Sequence, residues 1–217
     1  MKPLNEYVEH TLLKQDATKD DLIKLFEEAK EHKFLGVCVN PAYVSLAKEH
    51  LEGSGVKIVT VVGFPLGASK SEVTAFEAKT AIEDGADEID MVMNVTAMKS
   101  KDYDYIVKDI KTVKEACGQT LLKVILETDL LTKEEIAKAC DLCIEAKADL
   151  VKTSTGFVKG GVGAKPEDVK IMHDKVASHG MMVKASGGVR SKADALAVIE
   201  AGADRIGTSS GIKIVSE

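Results

Sequence analysis

Short runs of β-branched and aliphatic residues recur along this chain. Between them lie longer stretches in which apolar residues return every three or four positions. The first kind predicts strands: an alternating stretch at Tyr7–Leu12, then Gly36–Asn40, Lys57–Phe64, Glu88–Asn94, Leu121–Thr128, the start of Asp149–Phe157, Met182–Ala185 and Arg205–Thr208. The second kind predicts helices ending near Lys33, Glu52, Asp84, Ala116, Ala146, Ser178 and Ala201. Capping boxes mark three helix starts, Thr18 with Asp21, Thr132 with Glu135 and Ser191 with Asp194, while Ser69 is the expected cap of a fourth. Pro166 suits a first helical position, where its missing N–H is not needed.

Strands and helices alternate with no Pro- or Ser-rich linker, a pattern that builds βα units on a parallel sheet. Eight strands at about 27 residues per unit fit a compact, single-domain (β/α)8 barrel over residues 1–217. The N-terminal segment before the first strand is short, and no long tail follows the last. The alternative is an open, doubly wound sheet. It would carry a glycine-rich first turn, and the turn after Gly36–Asn40 has no such glycines.

An internal repeat supplies a register. EDGADEID (83–90), EAKADLVK (145–152) and EAGADRIG (200–207) each join a helix end to a strand entry. EHKFLGVC (31–38) and ASHGMMVK (177–184) fit the same frame less closely. Its eighth position holds Cys38, Asp90, Lys152, Lys184 and Gly207. Equivalent positions on barrel strands point inward in layers, so Asp90, Lys152 and Lys184 are expected to converge inside the barrel. Lys123 and Glu127 share a strand face and are expected to join from a neighbouring layer. A purely structural ion-pair network is the alternative. Two lysines on one carboxylate do not balance, however, and excess positive charge and burial both lower an amine's proton affinity. A neutral buried amine attacks carbonyls. Either Lys152 or Lys184 is then the nucleophile and the other its cationic perturber, with Asp90 moving protons.

The loops after the last strands carry Thr155-Gly156, then Gly187-Gly188-Val189-Arg190, then Gly207-Thr208-Ser209-Ser210. Barrels bind phosphate at this end, so Gly156, Gly187, Gly188, Gly207, Ser209 and Ser210 are the expected phosphate and substrate contacts, with Thr155 and Arg190 beside them.

Composition narrows the partners. Of the 217 residues, 4 % are aromatic and none is Trp, and the net charge is −6. Both observations argue against nucleic acid and anionic membranes. No segment reads as a signal peptide or a membrane span, so a cytoplasmic protein is expected. Cys140 and Cys143 form a CxxC inside a helical pattern, with no second pair to complete a metal site. Neither a metal nor a cofactor is expected. Barrel helices pair in many ways, a homodimer being one expectation.

The sequence resembles the deoxyribose-phosphate aldolases almost end to end. The resemblance rests on HTLL, CVNP (38–41), VVGFPLG (61–67), EIDMVMN (88–94), LKVILET (122–128), VKTSTGF (151–157), VKASGGVR (183–190) and RIGTSSG (205–211). VKTSTGF together with KASGG carries most of its specificity. It implies metal-independent cleavage of 2-deoxy-D-ribose 5-phosphate to acetaldehyde and D-glyceraldehyde 3-phosphate, within deoxyribose phosphate catabolism. It further implies that Lys152 forms the Schiff base, that Lys184 perturbs it, and that Asp90 shuttles protons. Three departures stand out. Glu9 replaces the family's usual Asp before HTLL. Phe157 stands where longer members often carry Lys. The chain stops at Glu217 without the tyrosine-ended tail of longer members. Cys38 is expected near the bound aldehyde, or else as a small core residue. Outside this class, a phosphosugar-binding barrel without catalysis, or another class I sugar-phosphate aldolase or transaldolase, fits the same residues.

Overall fold

The computed structural model describes residues 2–217; Met1, the first residue of the expected domain, lies outside them. Eight parallel strands close into a barrel in sequence order. They are β1 (Val8–Leu12), β2 (Gly36–Val39), β3 (Lys57–Val62), β4 (Glu88–Val92), β5 (Leu121–Ile125), β6 (Leu150–Lys152), β7 (Met182–Ser186) and β8 (Arg205–Thr208). The helices are α1 (Lys19–Glu31), α2 (Val44–Leu51), α3 (Ser71–Asp84), α4 (Val95–Lys99), α5 (Tyr103–Cys117), α6 (Lys133–Glu145), α7 (Pro166–Val176), α8 (Lys192–Glu200) and α9 (Gly211–Ser216).

The three capping boxes form as the sequence predicts. Ser69 does not cap: α3 starts one turn position later, with Lys70 at its N-cap and no side-chain cap bond. The short helices α4 and α9 are absent from the periodicity reading, because five or six residues cannot display a 3.6-residue period. Strands β1 to β6 are shorter than expected, β1 and β2 by one residue, β3 and β4 by two, and β5 and β6 by more. β5 ends at Ile125, after which Glu127 takes φ 60°. β6 ends at Lys152, and Thr153 to Phe157 continue as an irregular loop.

Each helix turns an apolar stripe to the sheet. On α1, Leu22, Leu25, Phe26 and Ala29 recur at helical spacing and are buried. On α6, Cys140 and Cys143 lie on the buried stripe with Ile136 and Ala139. Burial pushes the Cys140 thiol up to about 12 and raises Cys143 as well, so the CxxC pair packs as small apolar side chains. A second, smaller apolar cluster, Leu13, Cys38, Val59 and Val61 with Phe64 against it, stands apart from this helix–sheet core. Much of the remaining barrel interior is charged, with the apolar Ile125 and Leu150 beside the charged groups.

Candidate active site

The inward positions of β1, β4, β5, β6, β7 and β8 supply seven buried charged side chains. Four are basic (Lys123, Lys152, Lys184, Arg205) and three are carboxylates (Glu9, Glu88, Asp90), an excess of one basic group. Asp90 is the hub. Its Oδ1 accepts from Lys123 at 2.8 Å, and its Oδ2 accepts from both Lys152 and Lys184 at 2.8 Å. Lys123 also contacts Glu88 at 2.7 Å. Arg205 donates to Glu88 at 2.6 Å and to Glu9 at 3.2 Å, and Lys184 donates to Glu9.

The repeat frame therefore converges as the sequence suggests, though not as a flat ring. Lys152 pairs with Lys184 across β6 and β7, but Asp90 pairs with Lys123 and Lys152 with Ile125. Strand stagger lifts Lys152 by two residues, and the long side chains close the difference. Gly207 completes the frame by leaving space. A Cβ there would stand 2.9 Å from Lys184 Cε.

Every ion in the cluster is desolvated, so its partners decide its charge. Burial drives Asp90 upward, but three lysines outweigh that and hold its carboxyl well below the usual range. Burial likewise opposes the anion of Glu9, and Lys123 and Lys184 hold its pKa down. Glu88, beside Lys123 and Arg205, falls to about 2. Lys184 is desolvated too, yet Asp90 and Glu9 raise it above an ordinary lysine. Lys152 goes the other way. Burial lowers it, Asp90 only partly offsets this, and the neighbouring Lys184 cation lowers it further. Lys152 is thus the one basic group of the cluster whose pKa falls below its ordinary value.

Lys152 is also the one member of this cluster that lines the cavity of about 710 Å³ at the C-terminal ends of the strands, whereas Arg205 borders a separate hollow beside Lys2 and Tyr7. That volume suits a small sugar phosphate. Gly156, Gly187, Gly188, Arg190, Gly207 and Ser209 line it as expected. Gly187 and Gly188 have φ of 77° and 75°, and a Cβ on Gly188 would collide with the carbonyl oxygen of Val162. Only glycine fits that close approach of two loops. Arg190 is exposed at the rim, with no ion-pair partner among the described residues. Phe157 also lines the cavity and meets Phe64 edge-on at 5.2 Å.

Two expectations are corrected, for Ser210 and Glu127. Ser210 does not line this cavity; it borders a separate hollow beside His10 and Glu28, and its N–H donates to Thr208 Oγ1 at 2.9 Å. Glu127 does not join the lysines. β5 has ended before it, and its carboxylate accepts from the N–H of Thr155 at 3.0 Å and from the Thr155 hydroxyl. Thr155 lines the cavity, but its hydroxyl is committed to Glu127 and to the N–H of Phe157. Glu9, of undefined role in the sequence, is fully buried and clamps Lys184 and Arg205. Cys38 is buried in the small apolar cluster, where desolvation raises its thiol pKa, and it does not line the cavity.

Sequence reasoning missed Glu88 and Arg205. Both sit two residues before frame positions, Asp90 and Gly207, so the period of two would have placed them one layer below. It also missed the β1–α1 loop, where Thr11, Gln15 and Asp16 close one side of the cavity. Among the described residues, no group of His, Cys, Asp and Glu could hold a metal ion, and no helix is long and apolar enough to cross a membrane.

Comparison with known proteins points to one chemistry. A model of the DeoC/LacD family aldolases matches residues 5–217. A deoxyribose-phosphate aldolase of Finegoldia magna is 60 % identical over 98 % of both chains. One from Clostridium novyi is 61 % identical over 98 % of this chain and 95 % of its own. The solved deoxyribose phosphate aldolase of Aeropyrum pernix, described as a tetramer, superposes with a TM-score of 0.90 at 37 % identity. That match covers 98 % of this chain and 89 % of the other.

Proposed function

The chain belongs to the DeoC/LacD family of aldolases, and we propose that Lys152 is the amine through which it works. Its activity is that of a deoxyribose-phosphate aldolase, the reversible cleavage of 2-deoxy-D-ribose 5-phosphate into D-glyceraldehyde 3-phosphate and acetaldehyde. The observation that carries the residue assignment is that Lys152, alone in the buried charge cluster, both opens onto the cavity and has a lowered pKa.

The neutral amine of Lys152 adds to C1 of the open-chain sugar and loses water to give an iminium. Asp90 Oδ2, 2.8 Å from Nζ, stabilises that cation. Removal of the C3 hydroxyl proton breaks the C2–C3 bond. The bonding pair moves into an enamine, and D-glyceraldehyde 3-phosphate leaves. Protonation at C2 and hydrolysis then release acetaldehyde and restore the amine. Asp90 touches both lysines and relays protons between them. Lys184, kept cationic by Asp90 and Glu9, depresses Lys152 and supplies protons. The phosphate lies against the loops of Gly187, Gly188 and Ser209, with Arg190 adding charge at the rim.

Residues 1–217 act in this reading as a single catalytic domain, working in the cytoplasm. Its assembly is a homodimer, for which the exposed apolar Leu66, Val73 and Phe76 give a contact surface. Incubation with acetaldehyde and borohydride, followed by peptide mass analysis, tests the central claim. A reduced two-carbon adduct is expected on Lys152. Its absence, or its appearance on Lys184 instead, overturns the assignment.

A further inference from the structure

Two serines in the cavity wall have no role in the chemistry above. Ser154 follows Lys152 by two residues, and Ser186 follows Lys184 by two. In β7 the two-residue step puts Ser186 on the same side as Lys184, one layer nearer the cavity mouth, and Ser154, just past the end of β6, lies against the segment that follows Ser186. Both line the cavity, both are more than nine-tenths buried, and the hydroxyl oxygen of each has no hydrogen-bond partner.

The Ser186 backbone, by contrast, is held firmly. Thr153 Oγ1 donates to the carbonyl of Ser186 at 2.9 Å and accepts from its N–H at 2.9 Å. The two serine segments lie against each other, since a Cβ on Gly187 would stand 3.6 Å from Ser154 Cβ. A buried hydroxyl without a partner is unfavourable, and native structures keep few of them. A fixed backbone carrying a free hydroxyl is what a preorganised binding contact needs. Rotation about one bond aims each hydroxyl, and no competing bond opposes it.

Resting on the aldolase reading, we propose that Ser154 and Ser186 receive the hydroxyl that the acceptor aldehyde carries next to its carbonyl, and so select 2-hydroxyaldehydes over their deoxy analogues. The position follows from the two ends of the substrate. C1 is bonded to Lys152 at the floor, and the phosphate is held by the loops of Gly187, Gly188 and Ser209 at the mouth. The C4 hydroxyl of the sugar, which is the 2-hydroxyl of the acceptor, falls between them at the serine layer. A deoxy acceptor would leave both serine hydroxyls unsatisfied in the closed complex, which is how a polar site rejects the analogue that lacks its partner.

The test is the ratio of kcat/KM for D-glyceraldehyde 3-phosphate to that for 3-oxopropyl phosphate, with acetaldehyde as donor. It is measured in the wild type, Ser154→Ala, Ser186→Ala and the double variant. Each single change is expected to lower the ratio by roughly 3- to 10-fold, and the double by more. The free variants are expected to melt no lower than the wild type, because alanine removes an unsatisfied group. A ratio within twofold of the wild type in the double variant overturns the proposal. So does a loss that falls equally on both acceptors. Borohydride trapping of acetaldehyde on the wild type is run beside it. A missing adduct there refutes the aldolase reading, whereas a normal adduct with an unchanged ratio refutes only the serines.

Discussion

Lys152 and Lys184 pair Cα to Cα across β6 and β7 and donate to the same oxygen of Asp90, each at 2.8 Å. Two ammonium groups on one oxygen repel each other, which lowers the proton affinity of the one without a further anion. Glu9 supplies that anion to Lys184 and leaves Lys152 without one. The asymmetry of the pair, and with it the proposed choice of nucleophile, comes from β1, which is separated from β7 only by β8 in the closed barrel.

Lys152→Met should abolish turnover without harming the fold. Removing the proposed nucleophile is expected to lower kcat by a factor on the order of 10⁴ or more. The change also leaves three basic groups against three carboxylates in the interior. Folding of the wild type must desolvate or deprotonate this lysine, whose folded pKa lies below its unfolded one. The melting temperature of Lys152→Met is therefore expected to equal or exceed that of the wild type at neutral pH. Calorimetry beside an acetaldehyde-release assay checks both halves, and a large fall in melting temperature would mean that Lys152 is structural.

Lys184→Leu should move the pH profile as well as the rate. The Lys184 cation is one of the groups that lower Lys152. Without it the Lys152 pKa rises, less free amine exists at neutral pH, and the acid limb of kcat/KM shifts to higher pH. A loss on the order of 10²-fold at pH 7, partly recovered at alkaline pH, is expected. Asp90 and Glu9 each lose a buried partner, so stability should drop by about 3–5 kcal/mol. A limb at the wild-type position would contradict the perturbing role.

Acid should loosen the barrel through its carboxylates. Glu88 is depressed from 4.5 to about 2, chiefly by Lys123 and Arg205 acting against its own desolvation. A depressed carboxylate contributes stability that is present above its unfolded pKa and lost as pH falls through the folded one. Melting temperature should therefore decline between pH 4.5 and 2. Glu88→Gln, less stable than the wild type at pH 7, should approach it over that window. Thermal melts across the range check this, and a constant gap between the two proteins would be inconsistent with it.

Glu127→Ala should act on binding more than on chemistry. Glu127 sits in the left-handed region at φ 60° and holds both the N–H and the hydroxyl of Thr155, three residues after Lys152. Losing those bonds frees the loop that walls the cavity. KM for the sugar phosphate is expected to rise about tenfold, with kcat changed less. Steady-state kinetics separate the two, and an equal fall in kcat with no change in KM would place Glu127 in the proton transfers instead.

Much of this was legible in the chain. Strand and helix periods, three capping boxes and Pro166 are local signals, and the barrel follows from their alternation. The repeat frame picked Asp90, Lys152 and Lys184 out of 29 basic and 35 acidic residues, because equivalent strand entries share a direction. Glu127 was misplaced, because a period-two reading assumes that the strand continues, and nothing local announces the left-handed turn that ends it. Ser210 was misplaced because adjacent residues on a loop can face opposite hollows.

The amino-acid sequence by itself determined the eight strands, their inward faces and the frame residues, Asp90, Lys152 and Lys184, that carry charge into the barrel. Those properties depend on neighbours along the chain. Only the tertiary structure decided how that charge is shared. The stagger of closed strands brings Glu9, from the start of the chain, onto Lys184 and Arg205 near its end, and leaves Lys152 to face the cavity. Partners 175 and 196 residues apart have no local signature, so the protonation of each lysine is a property of the closed barrel.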